Sequence, residues 1–313
     1  MSKVLTATDR SGSFRVYLTI TTAECAEAAR IHDTSPTASA ALGRVLTGAA
    51  LMGAQLKEEE HRLTVQFKGD GPAKQILACA NGSGEIKGYI ADPYADLPLK
   101  NGKLDVGGLL GIGDLTVIKD IGLKEPYSGT IALVSGEIVE DLTAYYYISE
   151  QQNTSIALGV KVGTENQIIC AGGMFVQMLP GAEDAAADAL EAVLGDMKPV
   201  TYYAEKVQVA SAGKTEETML REMLDDMFAA LPEEYSLTVL DCKDTRWHCD
   251  CSRERMKSAL ATIGKDDLRQ IIDEDGKAEL VCHFCGSKYR FDAEELEEIY
   301  EIAEETKGVV NVS

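Results

Sequence analysis

"RWHCDCSR" at 246–253 and "LVCHFCGSKY" at 280–289 each hold two closely spaced cysteines, and 30 residues separate Cys251 from Cys282. Thiolates at i and i+2, or at i and i+3, can grip one metal ion from a tight turn. Two such grips make a closed tetrahedral site of four thiolates, the arrangement of structural zinc. Gly286 directly follows Cys285, where a glycine can turn the backbone and let its amide point at sulfur. "HFCGSKYRFD" then reads as the return strand of a knuckle hairpin. Cys249, Cys251, Cys282 and Cys285 are therefore expected to hold one zinc ion per chain. His248 and His283 adjoin these ligands as possible substitutes, but a side chain inside the short C-x2-C turn, as at His283, should point away from the metal.

A purely structural site gains nothing obvious from C-x-C over the commoner C-x2-C. A disulfide between i and i+2 is strained, yet it is local. Zinc-bound sulfurs are thiolates, the form that peroxide or hypochlorous acid attacks. Oxidation would remove the ligands. Structural zinc contributes on the order of 10–16 kcal/mol of apparent binding free energy in small domains, against about 5–15 kcal/mol for the stability of a whole domain. The residues thus suggest metal when reduced and disulfides when oxidised.

Composition bounds the rest. The chain has 313 residues, a length that suits two domains, with 45% hydrophobic and 26% charged residues. Its net charge of −21 argues against a nucleic-acid or anionic-membrane partner, since both are bound through clustered Lys and Arg. The start "MSKVLTATDRSGS" has no apolar signal segment, and no run is long enough to span a bilayer, so a cytoplasmic protein is expected. In a reducing cytosol eight cysteines should be mostly thiols. Cys25, Cys79, Cys170 and Cys242 stand alone in apolar or strand-like contexts and read as core residues.

Along the chain, "DRSGSFRVYLTI" suggests a turn and a strand. Thr22 is expected to cap a helix to about Arg30, and Ser35-Pro36 to start a second one to about Leu56. From His61 to about Gln177 short β-like runs alternate with turn signals such as Asn81-Gly82 and Asn101-Gly102. Tyr145, Tyr146 and Tyr147 are expected to alternate across a strand. The fold class is α+β, with an antiparallel sheet in the part before Pro180. At Pro180-Gly181 the composition turns acidic and helical, and residues 180–313 carry −16 of the net charge. Met219, Met223 and Met227 form an apolar stripe with Leu220 and Leu224. Such a stripe reads as core or docking surface, and as an adaptable client-binding surface if it is uncovered in another state.

These features resemble the redox-regulated thirty-three-kilodalton chaperonin family of heat-shock holdases. The resemblance rests on the cysteine spacing and on "HDTSPTASAALGRVLTGAALMG" (32–53), "VGGLLGIGDLTVIKD" (106–120) and "AYYYISEQQNTSIALGV" (144–160), in family order. It implies an N-terminal two-sheet core domain with helices (1–179), a helical linker (180–235) and a small C-terminal zinc-binding redox switch (236–313). It implies zinc on Cys249, Cys251, Cys282 and Cys285 when reduced, and disulfides Cys249–Cys251 and Cys282–Cys285 when oxidised. It further implies an ATP-independent holdase, not an enzyme. Such a holdase binds unfolding clients, dimerises when oxidised and passes clients to the seventy-kilodalton chaperone system. After Phe291 an acidic helix with a short extension is expected.

Two other readings of the cysteines stay open. A zinc-ribbon nucleic-acid module would need basic surface, and "SRERMK" (252–257) is the only basic cluster near the site. A thiol-disulfide oxidoreductase using Cys282 and Cys285 would need a βαβ context, which is missing. Walker A, G-x-S-x-G and H-E-x-x-H motifs are absent. "GGLLGIGD" (107–114) does not open a convincing helix, and "KGDGPAKQI" (68–76) reads as a hairpin turn.

Overall fold

The computed structural model describes residues 1–308, which form two compact units, 1–248 and 249 onward. The extension expected after the last helix lies outside the described residues. The mixed α+β class is as expected.

The first unit starts with β1 (Ser2–Asp9) and β2 (Phe14–Ile20), a hairpin of which only the second strand was expected. Helices α1 (Thr22–His32) and α2 (Pro36–Gly53) follow. Ser35 caps α2 by accepting a hydrogen bond from the Ala38 amide, with Pro36 in the first turn, as the sequence suggests. Thr22 is not a cap but the first residue of α1; its hydroxyl accepts from the Ala171 amide at 2.9 Å. Then come β3 (Arg62–Gly69), β4 (Gln75–Asn81), β5 (Glu85–Ile90), α3 (Val106–Leu110), β6 (Gly113–Asp120) and β7 (Tyr127–Ala132). The Gly-rich 107–114 stretch thus holds a short helix and the start of an unforeseen strand. After α4 (Val139–Ile148) lie β8 (Thr154–Val162) and β9 (Ile168–Met178).

The tyrosine triplet sits in α4, not in a strand. Asp141 decides this: its carboxylate accepts from the amides of Val134 and Ser135 through one oxygen and of Ile138 through the other, fastening the turn before the helix and satisfying the donor at its start. On the helix Tyr145 and Tyr146 turn inward and Tyr147 outward. Tyr146 meets Phe175 edge-on at 5.6 Å between ring centres.

Helices α5 (Asp184–Gly195), α6 (Val200–Val209) and α7 (Glu216–Met227) occupy the stretch expected to be a helical linker. The strand β10 (Leu237–Trp247) then returns to the sheet. The ten strands run in the order β7-β6-β3-β4-β5-β10-β1-β2-β9-β8. Two antiparallel halves meet at β10. It pairs with β1 from Ser2↔Thr245 to Asp9↔Leu237, and its end pairs in parallel with β5 at Arg246↔Glu85 and Trp247↔Ile86. The expected break at 235/236 therefore precedes a strand of the first compact unit. The acidic composition hid this: "LDCKD" has no apolar alternation, and β10 is held by backbone pairing.

Packing forms two cores within this unit. Around α2, Leu42, Val45, Leu46, Ala49 and Leu51 join Val65, Phe67, Leu158 and Phe175 from both halves of the sheet. The close approach of α2 needs Gly173: a Cβ there would lie 2.8 Å from Thr47 Cγ2 and 2.6 Å from Leu158 Cδ2. Phe14, Val16, Leu18 and Val176 form a second core with Ala186, Leu190, Val207, Leu220 and Leu224 of the three helices. The methionine stripe lies in it: Met219, Met223 and Met227 are only 8%, 0% and 4% exposed.

The second unit holds α8 (Arg253–Ala261), α9 (Lys265–Asp275), a hairpin of β11 (Lys277–Val281) and β12 (Lys288–Asp292), and α10 (Ala293–Gly308). Among the described residues its core is formed by Leu260, Leu268, Phe291, Leu296 and Ile299.

Candidate metal centre

The two cysteine pairs belong to the second unit. Cys249 and Cys251 lie in the extended segment before α8, which Ser252 caps by accepting from the Arg255 amide. Cys282 and Cys285 form the β11–β12 turn, where the Gly286 amide donates to the Cys282 carbonyl and the Cys282 amide to the Ser287 carbonyl, each at 2.9 Å. Gly286 has φ of +71°, in the left-handed region that favours glycine. This is the knuckle that Cys-x2-Cys-Gly calls for.

The four sulfurs converge. All lie within 4.8 Å of one another, with Cys249 and Cys282 at 3.7 Å and Cys251 and Cys285 at 3.3 Å. Four thiolates about 2.3 Å from one tetrahedral ion stand about 3.8 Å apart, so the donor set fits a zinc ion. Among the described residues no other cluster of potential ligands is as close. Neither histidine joins it. His248 belongs to the first unit, where its amide donates to Ile86 and Nε2 lies 3.8 Å from Glu85; His283 is exposed.

The sulfurs have different surroundings. Cys249 accepts from the backbone of Cys251, and Cys282 from the backbones of Phe284 and Cys285. Burial dominates for both and pushes their thiols up. For Cys285 burial also acts upward, but the Ser287 hydroxyl and backbone and the neighbouring sulfurs outweigh it and bring the thiol down to about 7. Cys251 Sγ lies 3.1 Å from the Tyr289 hydroxyl, a contact that pushes the phenol up to about 12. Ser287 and Tyr289 are the neighbours that cysteine spacing alone does not pick out. Their signal is their position on the return strand, two and four residues after Cys285.

Arg253 anchors the first cysteine arm. Its Nη2 donates to both Glu295 oxygens at 2.7 Å and to the Arg290 carbonyl at 2.6 Å, while its guanidinium lies 4.6 Å from the centre of the Phe291 ring. The other cations of "SRERMK" are also paired, Arg255 with Asp250 and Lys257 with Glu298. A basic cluster neutralised in this way offers little to a phosphate backbone. The isolated cysteines are elsewhere: Cys25, Cys170 and Cys242 have thiols pushed up by burial, to about 12, 11 and 11, and Cys79 is half-buried beside Thr64. The methionine stripe belongs to the first unit and is no part of this centre. No helix of the described residues is long and apolar enough to cross a membrane.

Known proteins resemble this chain in sequence and fold. The sequence profile of the family described as "Hsp33 protein" matches residues 2–292. The 33 kDa chaperonin of Clostridium perfringens (strain SM101) is 41% identical over 307 residues, covering 97% of this chain and 93% of its own. That of Clostridium botulinum (strain 657) is 42% identical over 301 residues, covering 96% and 97%. The crystal structure of the 33 kDa chaperonin from Thermotoga maritima superposes with a TM-score of 0.82 at 30% identity, covering 97% of this chain and 99% of that one. Profile, relatives and fold agree over nearly the whole length, and the chain belongs to the Hsp33 family.

Proposed function

We propose that this protein is a redox-regulated, ATP-independent chaperone that holds unfolding clients under oxidative stress. The observation that carries this reading is the convergence of four thiols within 4.8 Å in a unit whose core, among the described residues, is a small apolar cluster. The family relatives named chaperonin support the chaperone class. Cys249, Cys251, Cys282 and Cys285 would hold one zinc per chain in the reduced state. Bound zinc would keep these sulfurs as thiolates and tie the two arms together.

Each molecule of peroxide takes two electrons from a pair of thiolates, forming one S–S bond and two hydroxides. Two such events, expected as Cys249–Cys251 and Cys282–Cys285, leave no thiolate ligand. A unit of this size then lacks the burial to stay folded. Cys249 comes just after the strand β10 in the chain, so its unfolding frees one end of the segment that closes the first unit. Release of α5–α7 would bare Met219, Met223 and Met227, flexible apolar side chains suited to varied clients. In this reading the 180–235 segment acts as the releasable linker, the oxidised form dimerises, and clients pass later to the seventy-kilodalton chaperone system. The work is done in the cytoplasm, with no nucleic-acid or membrane partner.

The test follows zinc content, free thiols and suppression of client aggregation on one sample before and after peroxide with mild heating. One zinc per reduced chain, released as four thiols disappear and holding activity appears, is the expected result. Zinc retained through oxidation, or lost with no gain in activity, would overturn the reading.

A further inference from the structure

Resting on that reading, we infer that Tyr289 guards Cys251: its hydroxyl hydrogen-bonds to the sulfur, slows that sulfur's oxidation and so sets the dose of peroxide at which the centre opens. The geometry is specific. Tyr289 Oη lies 3.1 Å from Cys251 Sγ, across 38 positions of sequence. The contact joins the β12 strand to the opposite cysteine arm, whereas Cys249 and Cys282 accept from backbones of their own arm and Cys285 from the hydroxyl and backbone of Ser287, two residues on in its own arm. Tyr289 pairs with Leu280 across the hairpin, and its ring packs on the small core of Leu260, Leu268 and Phe291. The core therefore fixes where the hydroxyl points.

The chemistry gives that hydroxyl a role. A thiolate attacks peroxide with a sulfur lone pair; the S–O bond forms, the O–O bond breaks, and hydroxide leaves with the bonding pair. A second thiolate then attacks the sulfenic sulfur and displaces another hydroxide. A lone pair engaged by a phenol is less available for the first step, and a hydrogen bond to a thiolate is charge-assisted. Groups that hydrogen-bond to ligating atoms tune a metal centre in the same way. Tyr289 is thus a positioning residue: it acts through Cys251 and touches no reactant itself.

The test uses the full-length, reduced, metal-loaded chain and Tyr289→Phe, which keeps the ring and removes the hydroxyl. Zinc release under peroxide should be about fivefold faster in the variant, the effect of one hydrogen bond on a rate. With cobalt(II) in place of zinc, the sulfur-to-metal charge-transfer band should move to lower energy, a shift that a packing role would not produce. In the wild type, trapping of sulfenic acid with dimedone should label Cys251 after the other ligands, and Y289F should advance it; the wild-type arm needs no variant to fold. Labelling of Cys251 first in the wild type, or an unchanged release rate and band in Y289F, would overturn the inference. If the wild-type chain binds no metal or keeps its four thiols through peroxide, the redox reading fails and the guard fails with it. A wild type that switches beside an indistinguishable Y289F sinks the guard alone.

Discussion

The strand β9 of the first unit is buried on both faces, with Phe175 against α2 on one side and Met174 and Val176 under α5–α7 on the other. The second unit has nothing comparable among the described residues: one hairpin and three helices enclose a small cluster of Leu260, Leu268, Phe291, Leu296 and Ile299. Burial stabilises by roughly 25 cal/mol per Å² of apolar surface, and small domains bury too little to fold without a staple. The first unit is held by its cores. On the proposed function, the second would depend on whatever joins its four sulfurs, which would suit it as the part that changes state.

Removing the metal should break this comparison most strongly. Chelation of the reduced protein, or Cys282→Ser, would on the proposed function remove a contribution on the order of 10 kcal/mol. Amide hydrogen exchange should then lose protection throughout 249–308 while β1, β2 and β9 keep theirs. Protection that survives in the second unit would mean that its small apolar core suffices without metal, and the contrast between the units would fail.

Matched core truncations sharpen the contrast. Phe291→Ala and Phe175→Ala each remove a fully buried ring, at about 3–5 kcal/mol. The same loss should have unequal outcomes. F175A should lower the melting temperature of a first unit that still unfolds cooperatively. F291A should lower the chelator concentration at which the second unit unfolds, as circular dichroism along a chelator titration would report. Met223→Ala, at about 2–5 kcal/mol, should loosen α7 in particular. The expected sign is partial suppression of client aggregation by reduced protein, with zinc still bound. Full stability loss with no activity would assign the methionine stripe to the core alone.

The convergence of the four cysteines was legible because ligand-like spacing acts over a short stretch of chain: C-x-C, C-x2-C and Gly286 are local signals with local causes. The strands with alternating apolar residues, from "HRLTVQFKG" to "NQIICAGGMFVQML", were legible for the same reason. What the sequence hid depends on partners far along the chain. The polar middle of β10 is a strand because β1, at the opposite end of the first unit's sequence, offers it a ladder. Tyr145–Tyr147 became helical through the carboxylate of Asp141, which a period-two reading of three tyrosines overlooks. The hydrogen bond from Tyr289 to Cys251 arises only once the hairpin has folded against the first cysteine arm.

The smallest expected effect concerns pH, and it should act in opposite directions on the two units. Glu24 is buried in the first unit; burial raises its carboxyl above the ordinary 4.5, partly offset by the Ser2 hydroxyl at 2.7 Å. The groups acting on this region include the chain's amino terminus, Lys3 and Glu216 of α7, whose own carboxyl burial also raises. A carboxyl raised in the folded state favours folding below its unfolded value, and that contribution is lost as pH rises through the folded value. In the second unit half-buried Glu295 and exposed Glu279 are lowered, chiefly by hydrogen bonds from Arg253 and Arg290. Their contribution is present above 4.5 and fades as pH falls through the lowered values, and solvent keeps it small. Acidification from neutral pH toward 4.5 should therefore relieve the first unit at Glu24. Further acidification, through the lowered values, should weaken the second unit at its ion pairs. Glu24→Gln isolates the first arm: it should slightly raise the melting temperature of the first unit at neutral pH, with the gain vanishing as pH falls to the ordinary carboxyl value. A gain that stays constant with pH would mean that the glutamine acts through packing, and that the first unit carries no ionised carboxylate at a cost.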